Sequence, residues 1–271
     1  MRLIQKFRWA VGNAVDAVFG RVRPGAGLTA FRPGRRDTFG TLGCVVRVGG
    51  KRYGLTCEHV VYGAQARAEV RSYSYRSRRI GGVIGEIART GGLVVGGHLN
   101  QADYALLELS TSTWVSGRFP EPIGRLSPGV FSTKGLAIRA SGALDGAVPV
   151  QMIGAKSRWV AGVASGVFTP VTFRLDDGRF EFVRFAPICI EVTAVPEQGS
   201  QHIDFCDEGD SGALVVTREP GGGRPRPLGL LISKSADRSD GGPIMRRGYA
   251  VPVERVLSAI SGGTISVSIE G

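Results

Sequence analysis

Apolar positions in this chain recur in short alternating runs, and glycine- and proline-rich breaks separate them. A period of two over four to eight residues is the pattern of a strand with one buried face. "GCVVRV" and "KRYGLTC" flank Gly49-Gly50, which reads as a hairpin with a two-residue turn. That turn sets Val48 opposite Lys51, Val46 opposite Tyr53 and Cys44 opposite Leu55, so Cys44, Val46, Tyr53, Leu55 and Cys57 share a face. Further strand candidates are "GGVIGEIA", "YALLELS", "LAIRASG", "VPVQMIG", "VAGVASGVFTPVTFR", "FEFVRFAPICIEVTAV", "GALVVT", "LGLLISKS" and "GYAVPV". Helical spacing occurs twice, over residues 3–19 (Leu3, Ile4, Phe7, Val11, Ala14, Val15, Val18, Phe19) and in "VERVLSAIS" near the end. "RPGAGLTAFRPGRRD" (Arg23 to Asp37) is turn-rich and reads as a connector, and the tail "GTISVSIEG" adds a strand or dangles. About a dozen short strands with one helix near each end predict an all-β chain folded as two packed antiparallel β-barrels.

Composition supports this pattern. Glycine (41) and proline (14) make up roughly a fifth of the 271 residues, which suits many turns, while 42% hydrophobic residues exclude a disordered chain. The net charge of +11 is spread along the chain. Its densest cluster is "RSYSYRSRR" (Arg71 to Arg79), where aromatics alternate with arginines as in a single-strand binding groove. A solvated strand and loop is the plainer reading, so a nucleic-acid partner is not expected. No run approaches the roughly 18 apolar residues of a membrane span. Arg2, Lys6, Arg8 and Asp16 break any apolar core of signal-peptide length. The four cysteines (Cys44, Cys57, Cys189, Cys206) allow three pairings and force none. Cys57 stands diagonal to Cys44 at roughly 7–8 Å between α-carbons, too far for an easy bridge. The default is a reducing cytoplasm with free, buried thiols. No metal-ligand spacing is present, so neither a metal nor another cofactor is expected.

Three apolar runs each deliver one reactive side chain at an edge. His59 ends "GLTCEH", Asp103 opens "DYALLEL", and Ser211 sits in "EGDSGALVV". A serine hydroxyl is a poor nucleophile unless a base lies within hydrogen-bond reach, and that base needs an acid to fix its tautomer. An aspartate at the buried edge of a strand is costly unless paired, and an imidazole N–H supplies the pairing. Gly209 and Gly212 permit a sharp turn whose amides converge on one point. Taken singly, each residue has an ordinary structural reading: a surface histidine, a strand cap, a Gly-Asp-Ser-Gly turn. The other histidines, His98 and His202, lie in polar or glycine-rich surroundings.

In combination and in this order, "T-x-x-H-V", "D-x-A-L-L" and "G-D-S-G" resemble the trypsin/chymotrypsin-like serine peptidases. The resemblance covers roughly residues 38 to 262. "GTLGCVVR", "YGLTCEHVV" and "EGDSGALVV" bring it closest to intracellular trypsin-like proteins of bacteria and plants. It implies a chymotrypsin-like double barrel: residues 1–37 as a leading helix and connector, 38–124 as the first barrel with His59 and Asp103, and 125–271 as the second barrel with Ser211, a C-terminal helix and the tail. It also implies a serine endopeptidase with His59 as base, Asp103 as its orienter, Ser211 as nucleophile and the amides of Gly209 and Ser211 as oxyanion hole. A protein or peptide substrate follows, in a regulatory or defence role beside a sensor or effector protein. The rival readings are a catalytically silent binding module of the same fold and a basic nucleic-acid- or membrane-associated protein.

Departures from the family pattern matter as much. Val60 stands where a bridging cysteine often follows the histidine. Phe205, with Cys206 beside it, occupies the base of the specificity pocket where trypsin-type enzymes keep an aspartate, so a small or apolar residue before the scissile bond is expected. Ser233 and Lys234 line the same pocket, and Lys234 offers an alternative preference for acidic residues. "RR-IGGV" (Arg78 to Val83) looks like an activation site but follows His59 instead of preceding it, so no activating cut is expected at Arg79. Asp210, which in secreted relatives pairs with the freed amine, must then have another partner.

Overall fold

The structure, a computed structural model, describes residues 21–30, 38–96, 98–132, 147–167, 171–174, 182–185, 189–194, 203–237 and 245–271. The expected helix over residues 3–19, the strand candidate "LAIRASG" and His202 lie outside these residues.

The architecture is all-β, as the apolar alternation predicts. An eight-stranded sheet forms the first half, in the order Val267–Ile269, Cys44–Val48, Lys51–Thr56, Ala105–Leu109, Arg79–Thr90, Glu69–Ser74, Gly27–Ala30, Thr38–Thr41. Its ladders are antiparallel, with register irregularities at Val70/Arg71, Arg71/Tyr73 and Ile87/Arg89 that add local twist. In the second half, Cys189–Ala194, Arg158–Val167, Val148–Gly154, Leu214–Thr217, Pro227–Asp237 and Met245–Pro252 pair in turn. The last of these pairs back onto the first and closes a barrel. Closure removes both sheet edges.

Alternation along two strands joins the halves. Leu214, Val216, Leu230 and Ile232 belong to the apolar cluster of the first half, whereas Ala213, Val215 and Leu231 fill the second barrel with Val150, Met152, Ile190 and Phe205. With both faces buried, these runs carry no polar positions, which is why "ALVV" and "LGLLI" read as continuous apolar segments. The 44–56 hairpin has the expected register, Val48 to Lys51, Val46 to Tyr53 and Cys44 to Leu55. Cys44 and Cys57 are buried free thiols, as is Cys206. The expected C-terminal helix runs Val253–Ser261, buries Val253, Val256 and Ile260, and stops at left-handed Gly262, whose amide bonds Ser258 O.

Two boundaries differ from expectation. Gly27–Ala30, inside the segment read as a connector, is a fully buried strand that pairs with Thr38–Thr41 and Glu69–Ser74. The first sheet therefore begins at residue 27, not 38; four residues between turn signals are too few for alternation to register. The tail strand Val267–Ile269 pairs with Cys44–Val48, so the chain ends on the first barrel and not the second. Arg47 and Arg52 hold it there through Glu270, at 2.8 and 2.9 Å. Among the described residues no helix is long and apolar enough to cross a membrane.

Candidate active site

Strand pairing brings the first two site residues together. Thr56, at the end of one strand, lies opposite Ala105, at the start of its antiparallel neighbour. The chain leaves the first strand into the short helix Glu58–Val61 and enters the second through Asp103. Asp103 is fully buried, and its Oδ1 accepts the amides of Glu58 (2.6 Å) and His59 (3.2 Å). Its Oδ2 lies 2.5 Å from His59 Nδ1. This contact places the ring proton on Nδ1 and leaves Nε2 as the acceptor of the imidazole.

Ser211 sits between Gly209 and Gly212, whose φ angles of +98° and +92° lie in the region that side chains disfavour. Neighbours of His59 bracket this turn from both sides. The amide of Thr41 donates to Ser211 O at 2.8 Å. A Cβ on Gly40 would collide with both Val60 methyls and press on Ser211 O. On the other side, a Cβ on Gly212 would strike Thr56 Oγ1 and crowd the Cys57 amide.

Within the turn the amides alternate. Those of Asp210, Gly212 and Ala213 donate to Asp207 O, Leu231 O and Asp210 O respectively. Those of Gly209 and Ser211 donate to no acceptor among the described residues. Thr41 Oγ1 donates to Gly209 O at 2.9 Å and accepts the Ala155 amide at 3.0 Å, which fixes the orientation of the 209–210 peptide.

Asp210 is fully buried. Its Oδ1 accepts the amides of Lys156 (2.8 Å) and Ser157 (3.0 Å), and its Oδ2 accepts that of Asp207 (2.8 Å). Gly154 makes room, because a Cβ there would overlap the carboxyl group. Burial pushes the Asp210 carboxyl above the ordinary aspartate value, against the pull of the surrounding donors. The partners of Asp210 are therefore the Ser157 side chain and three main-chain amides, two of them from the turn between the strands Val148–Gly154 and Arg158–Val167 and one from Asp207.

The specificity candidates are placed unevenly. Phe205 is completely buried, its ring wedged between the backbones of Gly162 and Gly248, and Cys206 packs beside it. Ser233 is half-buried, and its hydroxyl turns to Lys234 O at 3.3 Å. The ammonium of Lys234 is committed to Asp207 (3.0 Å) and Glu208 (3.2 Å), so the charge invoked for an acidic preference is already balanced. Partial burial opposes that charge, but the two carboxylates outweigh it and hold the lysine above its ordinary value. Partial burial would likewise raise the Asp207 carboxyl, yet hydrogen bonds from Lys156 and Lys234 bring it down to about 2.

Cys57 Sγ, a ring nitrogen of His59 and an Asp103 oxygen lie within 4.8 Å of one another, a spacing that invites a metal. The chemistry does not fit. Burial, then the Asp103 charge, push the Cys57 thiol well above its ordinary value, and it donates to Leu231 O at 3.2 Å. A metal needs the thiolate and a free imidazole nitrogen, and Asp103 holds Nδ1. Glu58, also buried and raised by that burial, accepts the Leu93 amide at 2.9 Å and so braces the loop beside His59.

Sequence reasoning missed Thr41, Asp207, Glu58 and the 155–157 turn, since their contributions run through the backbone or through residues distant in the chain. Chemically, the assembly offers an imidazole oriented by a buried carboxylate, a serine in a rigid turn, and two free amides beside that serine.

No protein-family model matches the chain, and no curated protein matches it. Solved structures do. A glutamic-acid-specific serine protease, described as using a histidine triad in substrate binding, aligns with a TM-score of 0.52 at 17% identity over 92% of this chain and 100% of its own. Nocardiopsis protease (NAPase) aligns at 0.52 and 13% identity over 93% and 100%. Thermobifida fusca protease A aligns at 0.51 and 15% identity over 93% and 100%. The chain has the chymotrypsin-like double-barrel fold of these serine proteases.

Proposed function

We propose that this chain is a serine endopeptidase that cleaves protein substrates through an acyl-enzyme. Ser211 Oγ attacks the scissile carbonyl while His59 Nε2 takes its proton, and Asp103 stabilises the imidazolium that results. His59 then returns that proton to the departing amine, and water repeats the cycle on the ester. The amides of Gly209 and Ser211 receive the oxyanion. The observation that carries the reading is the alternation of the 209–212 amides, in which the two beside the serine are left free while their neighbours are consumed. Free main-chain donors held in a rigid turn suit a charge that appears only in the transition state, and each is worth about 10²–10³ in turnover.

The amide cradle around Asp210 and the Thr41 clamp support an oxyanion turn that is formed without a cut. Arg79 and Ile80 lie in a strand paired with Ser74 and Tyr73, which is no place for an activating terminus. The buried Phe205 supports a small or apolar residue before the scissile bond. Buried free thiols suit an intracellular protease of regulatory or defensive type.

The test is a peptide library incubated with the wild-type chain and with Ser211→Ala, with cuts mapped by mass spectrometry. Cuts after small or apolar residues that vanish in the variant are expected. A folded wild-type chain that makes no cut supports the silent binding module instead.

A further inference from the structure

One peptide of the serine turn is held by no hydrogen bond, and it is the one that presents the Gly209 amide. From 207 to 212 every other peptide group is tied. Asp207 O accepts the Asp210 amide, and the Glu208 amide donates to Asp207 Oδ1 at 2.7 Å. Gly209 O accepts the Thr41 hydroxyl, Asp210 O the Ala213 amide and Ser211 O the Thr41 amide. The Glu208 carbonyl and the Gly209 amide have no partner among the described residues. That amide has to stay unbonded to receive an oxyanion, so its peptide can be held only by contact. Glycine does not fix its own φ, since both signs are open to it.

One side chain supplies that contact. The three atoms nearest to where a Gly209 Cβ would stand are Tyr75 Oη, Cζ and Cε1, with the oxygen foremost. Tyr75 follows the strand Glu69–Ser74, and its ring is itself anchored. It packs edge-on to Tyr73 at 4.9 Å between centroids and to Phe39 at 6.1 Å. Tyr73 is paired on both sides, with Gly27 and with Ile80, and Phe39 lies on the same strand as the Thr41 clamp. The phenol oxygen is buried and has no hydrogen-bond partner. Burial, and after it the charge of Asp210, push the phenol above its ordinary value, so it stays neutral. A buried hydroxyl without a partner lowers stability. A phenylalanine would avoid that loss but stop one atom short of Gly209.

We infer that Tyr75 is a positioning residue for the reaction: its hydroxyl is a spacer that keeps Gly209 at the φ of +98° from which the amide serves the oxyanion. This deepens the peptidase reading and rests on it. The same oxygen lowers stability and raises turnover, a combination that packing alone does not produce.

Tyr75→Phe in the full chain separates the two effects. Its thermal midpoint should rise by about 2–4 °C, because the unpaired hydroxyl is gone. Its kcat on a cleaved library peptide should fall about tenfold with KM unchanged, part of what a whole oxyanion donor contributes. Tyr75→Leu, which removes ring and oxygen together, should lower kcat about a hundredfold. A peptide aldehyde reads the turn directly: Ser211 Oγ adds to its carbonyl carbon, the serine proton passes to His59, and the aldehyde oxygen takes the oxyanion position. Its affinity should fall by the same factor as kcat in each variant, whereas that of the matching peptide alcohol should not change. An unchanged kcat in Tyr75→Phe, or a fall in kcat that spares the aldehyde, overturns the positioning role and leaves the peptidase reading intact. A Tyr75→Phe chain that loses stability along with activity assigns the residue to the fold alone and overturns that role too. A folded wild-type chain that neither cuts the library nor labels with a fluorophosphonate overturns both.

Discussion

Two buried aspartates, one serving each barrel, are held in nearly the same way and differ at one atom. Asp103 and Asp210 are both fully buried, and each Oδ1 takes two consecutive main-chain amides: Glu58 and His59 in one, Lys156 and Ser157 in the other. At Oδ2 they part. Asp103 meets the Nδ1 of an imidazole, whereas Asp210 meets the Asp207 amide. An imidazole exchanges tautomers and accepts a second proton; a peptide N–H does neither. The same amide cradle therefore orients an imidazole in the first barrel and ties down a turn in the second.

Asparagine substitutions separate these roles. Asp103→Asn keeps the Oδ1 bonds but presents an NH₂ to His59, which favours the wrong tautomer. Turnover is expected to fall by about 10⁴ with a stability loss below about 1 kcal/mol, read by peptide cleavage and by denaturant melts. Asp210→Asn points an NH₂ at the Asp207 amide, leaving that buried donor unpaired. A loss of about 2 kcal/mol in stability is expected, and activity follows the turn. If the first variant chiefly lost stability and the second chiefly lost turnover, the contrast would be reversed and the account wrong.

The smallest effect lies at the rim of the second cradle. With Asp207 near 2 in the folded chain and near 3.8 unfolded, its ionised form favours folding. That contribution is present above about pH 4 and is lost as pH falls through about 2. Thermal melts of Asp207→Asn should therefore converge with wild type at the acid end of this window and lie below it above pH 4. Equal melts at pH 6 would remove Asp207 from the support of the turn.

What sequence could reveal follows the same division. His59, Asp103 and Ser211 announce themselves because each reactive side chain sits at the edge of an apolar run, and the 44–56 register follows from a two-residue turn. The partners of Asp210 left no trace, because main-chain amides have no side-chain signature, Ser157 lies 53 residues away along the chain, and Gly154 looks like any turn glycine. Lys234 was legible as a charge but not as a paired one, since its carboxylates at 207 and 208 lie far from it along the chain. Gly27–Ala30 was hidden among turn residues, although Leu28 and Ala30 are wholly buried.

The central claim is that Ser211 is a nucleophile activated by His59. Incubating the full chain with a fluorophosphonate and mapping the adduct by tandem mass spectrometry addresses it most directly. One adduct at Ser211, lost in Ser211→Ala and strongly slowed in His59→Ala, is the predicted result. A folded chain that stays unlabelled, or that labels at the same rate without His59, would contradict it.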